Sequence, residues 1–305
     1  MEKVIITGAN GFIGGSLALR LLEEGVEVIG IGSDDHGFEE MVAFPKFKKY
    51  ILKFEEYLNI PKIIKDRDVD VFFHFAWAGG FTSAIRDYKL QMSNAGYAGD
   101  AIVVAHELKC KKFVHAGTYN EFEIQTFLAS DKFEPRWTCI YSTGKTAADL
   151  ICKTLAYNLG IEYNIAFIPM PYGRRNYSRQ LANVVIDSLN KGIAPKLVKG
   201  DNTYDLVYID DLVEGLKAIA ERGVNLRGYY VGHRTLKTFK EWMIKIRDVI
   251  SPGTELKFGE YKDVQNIDYS LIDLDALYRD TGFVCNADFE SSIRLTAGWV
   301  KSLNW

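Results

Sequence analysis

No stretch of the chain restricts its fold as tightly as Thr7-Gly-Ala-Asn-Gly-Phe-Ile-Gly14. Before it, Lys3-Val-Ile-Ile-Thr7 has the apolar character of a buried strand. After it, Phe12 to Glu24 carries Phe12, Ile13, Leu17, Leu19, Leu21 and Leu22 at helical spacing, and Gly25 supplies a stop. Gly8 permits a tight turn, Gly11 lets backbone approach a pyrophosphate, and Gly14 lets the helix pack against the strand. A helix starting there offers free N–H groups and a partial positive charge to an anion. The pattern predicts a dinucleotide cradle built from Gly8, Asn10, Gly11, Phe12, Ile13 and Gly14.

The same alternation of strand and helix runs through the first 115 residues. Further strands are expected at Val26–Ile31, Lys49–Leu52, Val69–Phe75 and Lys112–Ala116, and helices at Pro61–Asp66 and Tyr88–Leu108. Apolar runs alternating with helices imply a parallel sheet covered on both faces, hence an α/β, Rossmann-type doubly wound fold. Past residue 165 the rhythm changes. One more strand, Ile165–Met170, precedes a segment containing Arg174, Arg175, Arg179, Lys191, Lys196 and Lys199. Leu206–Ile209 reads as a strand and a helix begins at Asp211. No repeat, low-complexity tract or long linker divides the chain. The expected organisation is a dinucleotide-binding domain over residues 1–165 and a smaller α/β substrate-binding region over 166–305, with about 205–222 returning to the first.

Composition narrows the function. With 48% hydrophobic and 25% charged residues the chain has the balance of a soluble globular protein, not of a disordered one. A net charge of −3 argues against a nucleic-acid partner. The densest basic stretch, with Lys46, Lys48, Lys49 and Lys53, reads as a solvated face. Cys110, Cys139, Cys152 and Cys285 lie far apart without metal-ligand spacing, as reduced thiols of a cytoplasmic protein do. No metal is expected. The chain opens on a strand rather than a signal sequence, and no apolar run is long enough to span a bilayer.

At the end of the second strand an acidic residue ordinarily holds the adenosine ribose. Gly32 stands there, followed by Ser33, Asp34 and Asp35, with no nearby arginine for a 2′-phosphate. Asp34 or Asp35 suits the ribose of NAD and Ser33 a phosphate of NADP; the balance leans to NAD. Tyr141-Ser-Thr-Gly-Lys145 sets a phenol and an ammonium on one helix face at i and i+4. A phenol with a pKa near 10 is a poor acid–base group, and a neighbouring ammonium is expected to lower it by roughly 1–3 units. Thr118 follows a parallel strand at its ligand-facing end, where its hydroxyl can meet a substrate oxygen. Asn94, on the preceding helix, is placed to hold backbone or a water relaying protons to Lys145.

Taken in order, the glycine loop, His74-Phe-Ala-Trp77, Asn94, Ala116-Gly-Thr118, Tyr141-x-x-x-Lys145 and Leu206-Val-Tyr-Ile-Asp-Asp211 resemble the extended short-chain dehydrogenase/reductases, the NAD-dependent epimerase/dehydratase family. The resemblance runs from Val4 to about Leu274. It implies a nucleotide-linked sugar as substrate and Thr118, Tyr141 and Lys145 as catalytic triad, supported by Asn94. It also implies cofactor contacts from Gly32, Ser33, Asp34, Phe75, Ala76, Trp77, Ala116, Tyr141, Pro169, Met170 and Lys145, the last of which would hold the nicotinamide ribose. The sugar would meet Ala78, Thr118, Tyr119, Asn120, Tyr172 and Tyr204. Helices around Asn94 and Tyr141 would form a homodimer.

Three departures narrow the reaction. Dehydratases of this family follow the threonine with acidic residues, whereas Tyr119 and Asn120 stand here, with Glu121 beyond; a 4,6-dehydratase is disfavoured. Ala-Gly-Thr-Tyr-Asn-Glu-Phe is similar to the segment found in sugar ketoreductases and epimerases related to CDP-abequose synthase. Tyr204 replaces the arginine expected before Asp205, and neither Asp263 nor Val264 supplies a second one. Arg174, Arg175, Arg179 or Lys199 would then have to hold the diphosphate. The reading is a 4-keto-sugar reductase, with a nucleotide-sugar epimerase as the alternative and a non-catalytic dinucleotide-binding regulator as the rival from another class.

Overall fold

The computed structural model describes residues 1–80, 82–130, 134–262, 267–303 and 305. Asp263 and Val264 therefore lie outside the described residues. Thirteen strands are found among those described: β1 (Lys3–Thr7), β2 (Glu27–Gly32), β3 (Phe47–Ile51), β4 (Val71–His74), β5 (Lys112–Thr118), β6 (Glu162–Ile168), β7 (Met170–Tyr172), β8 (Lys196–Val198), β9 (Thr203–Tyr204), β10 (Leu206–Tyr208), β11 (Gly228–Tyr230), β12 (Lys237–Thr238) and β13 (Lys257–Tyr261). Seven of them form one parallel sheet in the order β11-β6-β5-β4-β1-β2-β3. The order reverses between β1 and β4, and a ligand crevice opens at such a switch point.

The helices are α1 (Phe12–Glu23), α2 (Ile60–Ile63), α3 (Tyr88–Glu107), α4 (Glu121–Ala129), α5 (Cys139–Leu159), α6 (Leu181–Asn190), α7 (Ile209–Arg222), α8 (Phe239–Ile250), α9 (Ala276–Thr281) and α10 (Phe289–Ser302). Alternate strand residues face opposite layers. Val4, Ile6, Val28, Val71, Phe73 and Val114 belong to the core that also holds Leu17 and Leu21 of α1 and Leu212 and Leu216 of α7. Ile5, Ile29, Phe72, Phe113 and Ile165 belong to the other, with Ala95, Ala98 and Ile102 of α3 and Ala148 and Cys152 of α5. Each large side chain sealed in this way stabilises the fold by about 1.5–3 kcal/mol.

Several expected boundaries shift. The helix at Pro61–Asp66 is a single turn, Ile60–Ile63, because Ile64 already has extended backbone. Helix α5 starts at Cys139, so Tyr141 lies within its first turn. The strand expected at Ile165–Met170 is β6 followed by β7, which leaves the main sheet and pairs with β10. The return to the sheet extends past residue 222: Gly228–Tyr230 adds the edge strand β11 beside β6.

Candidate active site

Four strands, β1, β4, β5 and β6, deliver the site at their C-terminal ends. From β1 the chain turns through Gly8, at φ +71°, whose N–H donates to the Ile31 carbonyl at 2.9 Å. A Cβ on Gly8 would stand 2.8 Å from the Ala76 nitrogen, and one on Gly14 only 2.3 Å from the Gly8 oxygen. Gly11 caps α1 with no side-chain hydrogen bond, which leaves the first amides of the helix for an anion. The cleft above this loop has a volume of about 460 Å³. Asn10, Gly11, Phe12, Ile13, Phe75 and Trp77 line one part and Ala116, Thr118, Tyr141, Lys145 and Pro169 another. A glycine turn packed tightly against its own backbone, with free helix amides facing the cleft, fits a dinucleotide pyrophosphate.

The far part of the cleft holds Thr118, Tyr141 and Lys145, the residues expected as the triad. Thr118 ends β5, and it lines the cleft together with Tyr141. Lys145 donates from Nζ to the Ala116 carbonyl at 2.8 Å and lies 3.8 Å from the centre of the Trp77 ring. Trp77 stands edge-on to Tyr141 and donates from Nε1 to Gln91 Oε1 at 2.8 Å. Helix α5 can approach this close because Gly144 faces α3; a Cβ there would meet the Gln91 carbonyl at 2.9 Å. Asn94 grips both backbone groups of Ala78, accepting its N–H at 3.1 Å and donating to its carbonyl at 2.9 Å. It thus shapes the loop after β4.

The expected lowering of Tyr141 by Lys145 is not what the geometry gives. Burial pushes the phenol up, and the Glu121 carboxylate adds to the rise. The ammonium is committed to the Ala116 carbonyl and the Trp77 face. Burial pulls Lys145 down against Glu121, and pushes Glu121 up with help from Asp149. Glu121, buried behind the triad, accepts the Thr118 N–H at 2.8 Å. Beneath lie His74, whose Nδ1 meets Thr7 Oγ1 at 2.8 Å, and His115, whose ring nitrogens both lack hydrogen-bond partners among the described residues.

Other expected residues fall elsewhere. Gly32 is buried against Asn10 and Phe38, which a Cβ would strike. Ser33 and Asp34 are exposed just beyond it; Asp34 accepts the Ser33 hydroxyl and the His36 N–H. Asp35 pairs with Lys49, a cation near this end that the absence of arginine did not reveal. Ala76 and Ala78 form the wall behind Gly8 and Asn94 without lining the cleft. Tyr172 is a correction: it is buried, its hydroxyl meets Ser292 Oγ at 2.7 Å, and it borders a separate small cavity with His233 and Trp242.

The arginines do not converge on the sugar end. Arg175 lines the cleft at the glycine-loop end, donating to the Gly37 carbonyl at 2.9 Å and pairing with Glu40. Arg174 borders a different cleft behind α1, with Arg20 and Asp210. Arg179 is exposed over Trp305, and Lys199 is exposed and paired with Asp201. A second cavity of about 210 Å³ adjoins Tyr141 instead. Tyr119, Asn120, Met170 and Tyr204 line it, so Met170 faces this side. So does Arg136, which sequence reasoning missed because a lone loop arginine carries no motif. Asn176, Ser178 and Gln180 are further missed wall residues of the main cleft.

This fold and site define a dinucleotide-dependent oxidoreductase frame, and comparison with known proteins gives the family. The model of the NAD dependent epimerase/dehydratase family matches residues 4–232, so the chain belongs to that family, whose cofactor is NAD. It is 21% identical to Protein CapI of Staphylococcus aureus, over 97% of this chain and 98% of that one. It is 22% identical to CDP-abequose synthase of Yersinia pseudotuberculosis, over 86% of this chain and 89% of the relative. Its fold matches the NAD complex of a UDP-glucuronic acid 4-epimerase mutant from Bacillus cereus, with TM-score 0.80, 18% identity and 99% of both chains covered. No helix among the described residues is long and apolar enough to cross a membrane.

Proposed function

We propose that the protein transfers a hydride between a nicotinamide and a ring carbon of a nucleotide-linked sugar, in the leading reading as a reductase of a 4-keto sugar. The observation that carries this is the Tyr141 phenol, which borders both the cofactor cleft, where Thr118 also stands, and the second cavity. A nicotinamide, when bound, supplies or accepts the hydride. Thr118 orients the sugar oxygen. Tyr141, kept protonated by burial, gives that oxygen its proton, as reduction of a ketone requires. Lys145, with Trp77 and Ala116, fixes the floor beneath the reacting carbon. Dehydration is disfavoured because Tyr119 and Asn120 carry no carboxylate and the Glu121 carboxyl is taken up by the Thr118 backbone.

One observation favours the second reading, an epimerase that keeps its cofactor. Arg175 ties the segment after β7 to Gly37 and Glu40 of the loop after β2, across the glycine-loop end of the cleft. A tie there hinders exchange of a bound dinucleotide. The two readings separate on purification. Stoichiometric NAD(H) carried through every column supports the epimerase. An empty protein that oxidises added NADH or NADPH only with a 4-keto nucleotide sugar supports the reductase. Neither bound cofactor nor turnover with any nucleotide sugar would leave the non-catalytic reading.

The resemblance also implies a dimer, and the outer face of α3 and α5 suits it: Tyr88, Met92, Leu150, Ile151 and Tyr157 are exposed there. We infer that two copies pair through this face, and light scattering showing a monomer would overturn it.

A further inference from the structure

The cavity beside Tyr141 holds one guanidinium, and its charge is already answered. Arg136 donates from Nε to Glu123 Oε1 at 2.6 Å and from Nη2 to Oε2 at 3.0 Å. Glu123 is fully buried, so its negative charge is fixed behind the cavity wall. Nη2 also reaches Asn120 Oδ1 at 3.4 Å, and Asn120 donates from Nδ2 to Thr118 Oγ1 at 3.3 Å. The series Glu123–Arg136–Asn120–Thr118 therefore ties the cavity wall to the triad. Among the described residues, Arg136 is the one charged side chain lining this cavity; the others are Gly80, Ile85, Met170, Asn120, Thr138 and three tyrosines including Tyr141. Nη1 makes no hydrogen bond among the described residues to a fixed acceptor and remains a donor.

A sugar reacting at Tyr141 must extend its neighbouring ring substituents into this space. A neutral hydroxyl, keto or acetamido oxygen there gains a charge-assisted donor from Nη1. A carboxylate there enters beside Glu123 and shares one cation between two anions. Like charge held against an incoming group is how a site rejects the wrong partner. Resting on the nucleotide-sugar reading above, we propose that the Arg136–Glu123 pair makes this cavity selective for sugars that are uncharged at the position it receives, and that Glu123 excludes uronic acids.

The test is a binding titration of the full-length protein saturated with NAD, using UDP-glucose and UDP-glucuronic acid, which differ only at C6. The wild type is expected to bind the neutral sugar at least roughly tenfold more tightly, the loss of one charge-assisted hydrogen bond. Glu123→Gln keeps the shape of the buried side chain and leaves the guanidinium unneutralised, so the ratio should move toward the uronate by roughly tenfold. Arg136→Met made together with Glu123→Gln, so that no buried charge is left unpaired, should weaken the neutral sugar without improving the uronate. Equal or tighter binding of the uronate by the wild type, or an unchanged ratio in Glu123→Gln, overturns the inference and leaves the nucleotide-sugar reading standing. Failure of both sugars to bind, with CDP-glucose and dTDP-glucose failing likewise, overturns that reading and the role of Arg136 with it.

Discussion

Two alanine substitutions in the glycine loop should fail for different reasons, and the distances say which. At Gly14 a methyl would sit 2.3 Å from the Gly8 oxygen and 2.9 Å from its carbonyl carbon. Both are backbone atoms of the turn that joins β1 to α1, so neither can swing aside as a side chain would. Relief requires α1 to move by close to an ångström out of a packed interface, a disturbance that costs about 3 kcal/mol or more. For a chain of 305 residues, 1 kcal/mol shifts Tm by about 1.6 °C, so Gly14→Ala should melt about 5 °C or more below the wild type. At Gly11 the backbone is extended, φ −87° and ψ 179°, and a methyl would approach the Gly8 oxygen at 3.2 Å. A small adjustment relieves that contact, so Gly11→Ala should melt within about 1 °C of the wild type. Its methyl nevertheless stands where the pyrophosphate must approach, and NADH should bind at least roughly tenfold more weakly. Thermal unfolding of each variant followed by fluorescence titration with NADH measures both quantities. The reasoning fails if Gly14→Ala melts with the wild type, or if Gly11→Ala binds NADH undiminished.

Tyr141→Phe should lower turnover by roughly 10²–10⁴-fold while NADH binding holds, and wild-type rates would remove Tyr141 from the reaction. Burial, with Lys145 nearby, holds His115 well below its ordinary 6.5, so the unfolded chain takes up a proton that the folded one refuses. That residue costs the fold stability as pH falls below 6.5, by about 1.4 kcal/mol per pH unit until its folded pKa is reached. His115→Phe should therefore gain on the wild type between pH 6.5 and pH 5 in urea unfolding, and parallel curves would contradict it. Leu150→Asp, on the exposed face of α5, should convert a dimer to monomers in light scattering without lowering Tm of the subunit by more than about 1 °C.

Features set by neighbours in sequence were legible before the structure. Gly8, Gly11 and Gly14 act within one turn of each other, and Tyr141 and Lys145 within one turn of helix. The buried runs of β1, β4 and β5 declare themselves by being apolar throughout. What was not legible depends on long-range pairing. Gly228–Tyr230 is three residues long and becomes a sheet strand only because β6 leaves an edge for it. Tyr172 has the composition of a pocket residue, but its hydroxyl is answered by Ser292, 120 residues away. Arg174 and Arg179 carry charge in the right part of the chain, and charge alone says nothing of direction. Arg136 gains its place from Glu123, which no motif marks.

Lys145 is held by the protein itself: the Ala116 carbonyl on one side and the Trp77 face on another, with Trp77 in turn fixed by Gln91. A side chain of this kind has about 2 kcal/mol of rotamer freedom to lose. Here that loss is incurred when the chain folds, so an arriving dinucleotide meets an ammonium already immobile. Affinity for the cofactor then reports contacts rather than the ordering of the catalytic floor. Trp77→Ala, which frees the lysine without touching it, would return that ordering cost to the binding step.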